Sequence, residues 1–147
     1  MRICQSNSQK GTFFKINPET LTLEKKEALG QKITCVQASH SNNLVAVGAG
    51  NGVVAFYSNA ENKFVSTALK YHGNFITSLV FTPDDSKVFS SAYESVVFVW
   101  DTVTLKKADK ISNIGHRGAI NHLFLEGNTF VSVGVDAAIK KWSYAIN

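Results

Sequence analysis

A serine, a histidine and an aspartate of this 147-residue chain, Ser132, His116 and Asp136, are the residue types of a hydrolytic triad. In a triad the histidine removes the serine proton and the carboxylate orients the histidine. A serine and a histidine recur about 43 residues earlier as Ser90 and His72, a periodicity that structure explains and catalysis does not. The chain also lacks the Gly-x-Ser-x-Gly elbow that exposes a nucleophile. We therefore predict that these side chains are structural, that no residue is catalytic, and that the chain is not an enzyme.

A glycine-rich segment, Gly48-Ala-Gly-Asn-Gly52, has the composition of a loop that cradles phosphate groups. Such loops bind phosphate because a helix follows them and directs its first N–H groups at the anion. Here the β-branched and aromatic run Val53–Tyr57 follows, which is typical of a strand. The segment is therefore interpreted as a turn between strands, and no cofactor is predicted.

Four histidines and two cysteines could bind a transition metal. They are His40, His72, His116, His122, Cys4 and Cys35. None of them forms a pair or cluster with the short spacing of a zinc site, and the two cysteines are too far apart in the sequence for a CxxC motif. We predict neither a metal site nor a disulfide framework.

The charge of the chain favours protein partners. Fifteen Lys and Arg residues against eleven Asp and Glu give a net charge of +4, and the lysines are spread along the whole sequence. Dispersed lysine is typical of a soluble, broadly positive surface and not of a nucleic-acid groove. No run of about 18 apolar residues and no signal peptide is present. We expect a cytoplasmic protein that binds neither nucleic acid nor membrane.

Three pairs of adjacent lysines leave two interpretations open. They are Lys25-Lys26, Lys106-Lys107 and Lys140-Lys141. They could bind an acidic partner, or they could protect the edges of outer strands against pairing with other chains. The first two pairs fall on predicted outer strands, which favours edge protection, whereas the third pair lies on an inner strand and stays unexplained.

An internal repeat supplies the elements that position these residues. Residues 33–57 and 76–100 align without a gap at an offset of 43, a third copy runs over 120–142, and a weaker one ends at Ile16. Each copy holds three short β-branched or aromatic runs, and a more polar fourth run follows the first two copies and Ile16. Four strands in every ~40–45 residues are typical of a propeller blade.

The repeat predicts an all-β fold, a partial β-propeller of about three to three and a half four-stranded antiparallel blades in one domain spanning residues 1–147. Residues 1–30 form an incomplete leading blade, and residues 31–72 and 73–115 form complete blades. The last blade, 116–147, lacks its outer strand. An open arc leaves apolar blade faces bare. We therefore expect missing blades to come from a longer chain, of which these residues are the C-terminal part, or from self-association.

The spacing of Gly115-His116, Ser132, Asp136 and Trp142 resembles the WD-repeat family. The resemblance implies a buried hydrogen-bond chain in which the tryptophan donates to the hydroxyl, the hydroxyl to the histidine, and the histidine to the turn carboxylate. The preceding copy matches with the four residues His72, Ser90, Glu94 and Trp100, so that glutamate replaces the usual aspartate. The copy before that has Leu29 and Val47 in place of histidine and hydroxyl, and we expect it to depend on packing.

The closing repeat, residues 120–142, is further similar to the actin-interacting, cofilin-cooperating WD-repeat proteins, whose last repeat has a similar "TLVTTSxDASVKEW" ending. This resemblance implies a non-catalytic interaction module, with actin and cofilin as partners, that promotes disassembly of cofilin-decorated filaments, and a cytoskeleton-associated location. The alternative is a WD-repeat scaffold subunit of another multiprotein complex.

Propellers of this family usually contact partners with the loops at one end of the ring. By that logic the candidate partner-binding residues are Asn74, Phe75, Tyr93, Arg117 and Val135. Phe75 and Tyr93 are the strongest candidates, because aromatic side chains are enriched among the residues that dominate binding energy.

Overall fold

The computed structural model describes residues 2–5, 11–17, 19–112, 115–127 and 129–143, which form fourteen strands in four antiparallel sheets. The all-β fold predicted from the repeat is therefore confirmed. Residues 1 and 144–147, the two ends of the predicted domain, lie outside the described residues.

Each sheet is one blade, and strands follow one another from the inside to the outside of the blade. Blade 1 contains β1 (Arg2–Gln5), β2 (Thr12–Ile16) and β3 (Leu23–Ala28). Blade 2 contains β4 (Ile33–Ala38), β5 (Leu44–Ala49), β6 (Val53–Ser58) and β7 (Lys63–Lys70). Blade 3 contains β8 (Ile76–Phe81), β9 (Lys87–Ala92), β10 (Val97–Asp101) and β11 (Lys106–Ile111). Blade 4 contains β12 (Ile120–Glu126), β13 (Thr129–Gly134) and β14 (Ile139–Ser143).

Burial along the strands follows from the layered packing of blades. Every residue of β6 is buried, because neighbouring blades cover both faces of this inner strand. In β11, by contrast, all residues except Ile111 are exposed, and three of the six are lysines. Charged outer strands keep the sheet edge hydrated and disfavour pairing with another chain.

Three apolar clusters join the four blades pairwise. Phe13 of blade 1 packs with Val45 and Tyr57 of blade 2. The largest cluster joins blades 2 and 3, and its fully buried members include Phe56 and Trp100. The third joins blades 3 and 4. Each blade is therefore stabilised mainly by burying its faces against its neighbours, at roughly 25 cal/mol per Å² of apolar surface.

The free face of blade 4 shows what a blade loses without its next neighbour. Val54 and Val97, at equivalent positions of blades 2 and 3, are fully buried, whereas Ile139 of blade 4 is 73% exposed. Lys141 occupies the position of the buried residues Phe56 and Val99, and its ammonium group lies 3.9 Å from Glu126. Among the described residues, none covers this face.

Hydroxyl groups on the innermost strands link blade 2 to blade 3 and blade 3 to blade 4. Thr34 of β4 donates to the carbonyl of Ile76 at 2.7 Å, and Thr77 of β8 donates to the carbonyl of Ile120 at 2.6 Å. Asn121 has the same position in β12 and is exposed. These bonds fix the rotation of neighbouring blades at the centre of the arc.

A carboxylate fastens blades 2 and 3 at the other end of their inner strands. Asp85, in the turn between β8 and β9, accepts hydrogen bonds from the backbone N–H groups of His40 and Ser41, both at 2.8 Å. The His40 ring nitrogen lies 2.9 Å from the same carboxylate. Burial raises the pKa of Asp85, but the donors from Ser41 and His40 outweigh it and hold the pKa at about 2.

Candidate partner-binding face

In blade 3, four side chains from different depths form one hydrogen-bond chain. Trp100 Nε1 donates to Ser90 Oγ at 2.8 Å, and Ser90 Oγ lies 2.7 Å from His72 Nε2. His72 Nδ1 lies 2.5 Å from Glu94 Oε1. Because a carboxylate only accepts, the imidazole donates from Nδ1 to Glu94, and Nε2 of the neutral ring accepts from the Ser90 hydroxyl.

Blade 4 repeats the arrangement with aspartate. Trp142 Nε1 donates to Ser132 Oγ at 3.2 Å, Ser132 Oγ lies 2.7 Å from His116 Nε2, and His116 Nδ1 lies 2.9 Å from Asp136 Oδ1. The other carboxylate oxygen accepts from the backbone N–H of Arg117 at 2.9 Å. The structure thus brings all eight of the predicted network residues into two chains.

The geometry of these chains suits a structural brace. Ser90 and Ser132 are fully buried, and each hydroxyl is already engaged by tryptophan and histidine, so neither is open to a substrate. Burial lowers the pKa of His72, although Glu94 opposes the change, and the imidazole is therefore neutral at pH 7. A buried polar network is stable only when each member has its partners, and here each has.

The matching position of blade 2 holds apolar packing. Leu29 and Val47 replace histidine and serine and lie in the cluster around Tyr57. The Tyr57 ring packs against Phe13 and Phe64 at centroid distances of 4.7 and 5.4 Å. Its hydroxyl donates to Asn62 Oδ1 at 2.6 Å, so the polar tip is satisfied without the hydrogen-bond chain.

The hydrogen-bond chains hold the loops at one end of the blades. Glu94 Oε2 accepts from the Gly73 N–H at 3.2 Å and so ties the β9–β10 turn to the loop before β8. Gly52, at φ +83°, lies against the same loop, and a Cβ there would collide with the His72 carbonyl oxygen. The loops before β4, β8 and β12 and the turns between the second and third strands of blades 2 to 4 are here called the binding face.

A backbone hydrogen bond recurs on the binding face in each of these three blades. The N–H of Gly50 donates to the carbonyl of Lys32 at 2.7 Å, and Tyr93 donates to Phe75 at 3.0 Å. In blade 4, Val135 donates to Ala119 at 2.9 Å. This bond places the turn residue beside the loop residue, so the residue types at these two repeat positions determine which side chains each blade exposes there.

The predicted partner-binding residues all lie on this face. Phe75 and Tyr93 are 38% and 48% exposed and stack on one another, with ring centroids 5.0 Å apart and planes inclined by 19°. Asn74 is exposed, and its Oδ1 accepts from the Phe75 N–H at 3.3 Å. Arg117 is exposed, and Val135 is 49% exposed.

An open groove of about 560 Å³ extends from Phe75 across blades 2 to 4. Its polar and aromatic lining residues are Lys32, Thr34, Phe75, Thr77 and Asn121. Of these lining residues, only Phe75 is predicted from the sequence to bind a partner. A usable signal was present, because Thr34, Thr77 and Asn121 each follow the isoleucine that opens a repeat copy.

A smaller groove of about 310 Å³ lies at the opposite end, against the inner strands. Its lining includes His40, His122 and Phe124, and the last two rings meet edge to face at 4.5 Å. His122 lies on the inner strand β12 and is exposed. In the described part of the chain, no three His, Cys, Asp or Glu side chains are grouped to hold a metal ion.

Two further groups bear on reactivity and location. Burial raises the pKa of the Cys35 thiol to about 12, so it is not a thiolate at neutral pH. The described ranges contain no helix that is long and apolar enough to cross a membrane.

Residues 62–101 match the family described as "WD domain, G-beta repeat". These residues are similar to a WD40 repeat. The match covers β7 to β10 and includes Ser90, Glu94 and Trp100 of the first hydrogen-bond chain. The WD40 propeller family is generally non-catalytic, and its members mediate protein–protein interactions.

Three curated relatives are similar over most of the chain. "WD repeat-containing protein 1" of Gallus gallus is 26% identical over 141 residues, 95% of this chain and 22% of that protein. "Actin-interacting protein 1" of Drosophila melanogaster is 25% identical over 113 residues, 77% of this chain and 18% of that protein. "66 kDa stress protein" of Physarum polycephalum is 27% identical over 112 residues, 76% of this chain and 18% of that protein. The chain spans about a fifth of the length of these relatives.

Solved structures confirm the partial WD-repeat propeller. "Structure of U3-55K" superposes with a TM-score of 0.84 at 15% identity, covering 97% of this chain and 45% of that one. "Crystal structure of RRP9 WD40 repeats" superposes with a TM-score of 0.83 at 16% identity, covering 95% and 44%. The computationally designed Ika4 protein gives a TM-score of 0.80 at 26% identity, covering 97% and 86%. At the identities of the first two, the likeness shows the fold alone.

Proposed function

We propose that this chain is a non-catalytic interaction module of an actin-binding protein that promotes disassembly of cofilin-decorated filaments, and that the binding face is its contact surface. The observation that carries the proposal is the exposed stack of Phe75 on Tyr93, held on loops that the hydrogen-bond chains make rigid. Aromatic residues presented on a preorganised surface bind at low entropic cost. The similarity to an actin-interacting relative supports actin as the partner. The proposal includes a cytoplasmic, cytoskeleton-associated location.

The absence of a catalytic role is part of the proposal. Ser132, His116 and Asp136 are the residue types of a catalytic triad but are not placed to act as one. The serine is fully buried, and its oxygen already accepts from Trp142. A nucleophile needs an approach path and a site that stabilises the oxyanion. The network geometry instead explains why the same residues recur in blade 3.

Neighbouring blades are a further part of the proposed partnership. The 73% exposure of Ile139, against full burial of Val54 and Val97, supports a blade docked on blade 4. That blade would come from a longer chain, as the length of the relatives suggests, or from a second copy.

Cosedimentation with actin filaments tests the proposal. The chain should pellet with cofilin-decorated filaments more than with bare ones, and Phe75→Ala/Tyr93→Ala should reduce pelleting about tenfold. The matched control is Phe124→Ala, which removes an aromatic ring of 51% exposure at the opposite end and should pellet like the parent.

The outcomes separate the two candidate roles. Equal pelleting of parent and double variant would reject the binding face as the filament contact. No pelleting with either filament would reject the actin role and leave a scaffold subunit of another complex as the function to pursue.

A further inference from the structure

On the binding face, the carboxylates are hydrogen-bonded within the loops, whereas two cations have no ion pair among the described residues. Glu94 bonds His72 and the Gly73 N–H, and Asp136 bonds His116 and the Arg117 N–H. The side chains of Lys32 and Arg117 are exposed, and neither has an ion pair within the described ranges. The negative charge is thus satisfied by groups inside the loops, whereas the positive charge faces outward.

The cations flank the aromatic pair along one surface. Lys32 and Phe75 line the same groove of about 560 Å³, which reaches Asn121 of blade 4. The Ile120 N–H donates to the Glu94 carbonyl at 3.2 Å, so the loop that carries Arg117 lies beside the turn that carries Tyr93. A groove of this volume is in the range that holds a side chain or a short segment.

We propose that the binding face takes an acidic segment of a partner protein, with an aromatic side chain of that segment seated on the Phe75–Tyr93 pair. This inference rests on the proposed function and adds the chemistry of the partner. The aromatic pair supplies apolar contact, and Lys32 and Arg117 supply charge complementarity on its two sides. The exposed amide of Asn121 is available to bond the backbone of the segment.

Charge spacing favours a protein over a nucleic acid. A nucleic-acid strand carries a charge at every nucleotide and is held by a continuous track of cations with interleaved aromatic groups. Among its described residues, the binding face has two cations without an ion pair and one aromatic pair, while other lysines, such as Lys106 and Lys110, lie on the outer strand β11.

Fluorescence anisotropy with the 147-residue chain tests the inference. The probe is a labelled peptide Asp-Glu-Asp-Phe-Asp-Glu-Asp, compared with the same peptide carrying Ala for Phe and with Lys-Arg-Lys-Phe-Lys-Arg-Lys. The first should bind about tenfold more tightly than the second and much more tightly than the third. Binding should weaken as salt is raised, because exposed charges are screened.

Matched variants locate the site. Lys32→Glu/Arg117→Glu should weaken peptide binding about tenfold or more, and Phe75→Ala/Tyr93→Ala should remove the preference for Phe over Ala. Lys63→Glu/Lys106→Glu makes the same charge change at the first residues of β7 and β11, at the end of the blades opposite the binding face. This variant should bind like the parent. Unchanged thermal unfolding identifies variants that fold normally.

Three results would overturn the inference: equal binding of the acidic and basic peptides, equal weakening by the control variant, or tighter binding of oligo(dT) than of the acidic peptide. Loss of peptide binding with retained pelleting on cofilin-decorated filaments would reject the acidic segment and keep the proposed function. Peptide binding without pelleting would reject the actin role and keep the acidic segment.

Discussion

At the residue scale, each buried hydroxyl of the two hydrogen-bond chains serves two partners. Ser132 Oγ contacts both His116 and Trp142, and Ser90 Oγ contacts both His72 and Trp100. The resemblance to the WD-repeat family implied both the grouping and the order of these hydrogen bonds, and the distances agree with it. The residue spacing alone indicated only that the serine and the histidine recur at equivalent repeat positions.

Replacement of Ser132 by alanine should destabilise the chain by about 1–3 kcal/mol, because two buried polar partners lose their bonds. Urea unfolding followed by tryptophan fluorescence measures the change. Thr67→Ala, which removes an exposed hydroxyl from β7, is the control and should change stability by less than about 0.5 kcal/mol. A loss no larger than that of the control would show that the chain of hydrogen bonds is not a brace.

Protonation of Asp136 should contribute to the loss of folding stability at acid pH. The Arg117 N–H and the His116 side chain hold the pKa of this carboxyl at about 2, below its usual 3.8. The folded state then binds protons less readily than the unfolded state, so the contribution to stability is complete above about pH 4 and is lost as pH falls toward 2. Thermal melts from pH 7 to 2 should show a shallower acid limb for Asp136→Asn. An unchanged slope would assign the acid limb to other carboxyls.

His72 adds a separate pH dependence near neutrality. Because burial lowers its pKa below the usual 6.5, the unfolded state takes up a proton first as pH falls. Stability should be complete above about pH 6.5 and decrease below it. His72→Gln should remove this decrease, and a parent chain with constant stability between pH 7 and 5 would contradict the assignment.

At the element scale, the turns of the blades contain glycines at positions that disfavour a side chain. Gly52 and Gly127 both have positive φ, but only Gly52 lies against another segment, the backbone of His72 to Asn74. The repeat pattern predicts a turn over residues 48–52, and the structure places the turn at 50–52 because residues 48 and 49 end β5. The pattern did not show this close contact, because the loop before β8 is twenty residues further along the chain.

Gly52→Ala should therefore destabilise the chain more than Gly127→Ala. Both substitutions introduce a Cβ at positive φ, which costs about 1 kcal/mol, and only the first adds a collision with the His72 carbonyl. Thermal melting of the two variants gives the difference. Equal melting temperatures would mean that the loop before β8 moves freely.

At the scale of the whole molecule, stability comes from the contacts between blades. The three apolar clusters and the bonds of Thr34, Thr77 and Asp85 all cross from one blade to the next. The structure also accounts for the Lys140-Lys141 pair, which the sequence left unexplained. Lys141 lies on the free face of blade 4, and Lys140 donates to the Gly115 carbonyl.

The free face of blade 4 should make the isolated chain associate. Sedimentation velocity at tens of micromolar should show dimers or larger species, and Ile139→Glu should shift them toward monomer, because a buried charge opposes docking. Val103→Glu, at a loop residue of 86% exposure, is the matched control. A monodisperse monomer of the parent chain with a sharp thermal transition would contradict the expectation.

The sequence by itself determined the blades, since strand pattern, turns and repeated residue types are local properties that recur at a fixed offset. It also determined that Phe75 and Tyr93 fall on loops at the same end. Only the tertiary structure decided that their rings stack, that Lys32 and Asn121 share their groove, and that Asp85 reaches His40. The stack depends on how two loops of blade 3 meet in space. The other contacts join residues of different blades, and the distance between them depends on how the blades are rotated against one another, which no single repeat encodes.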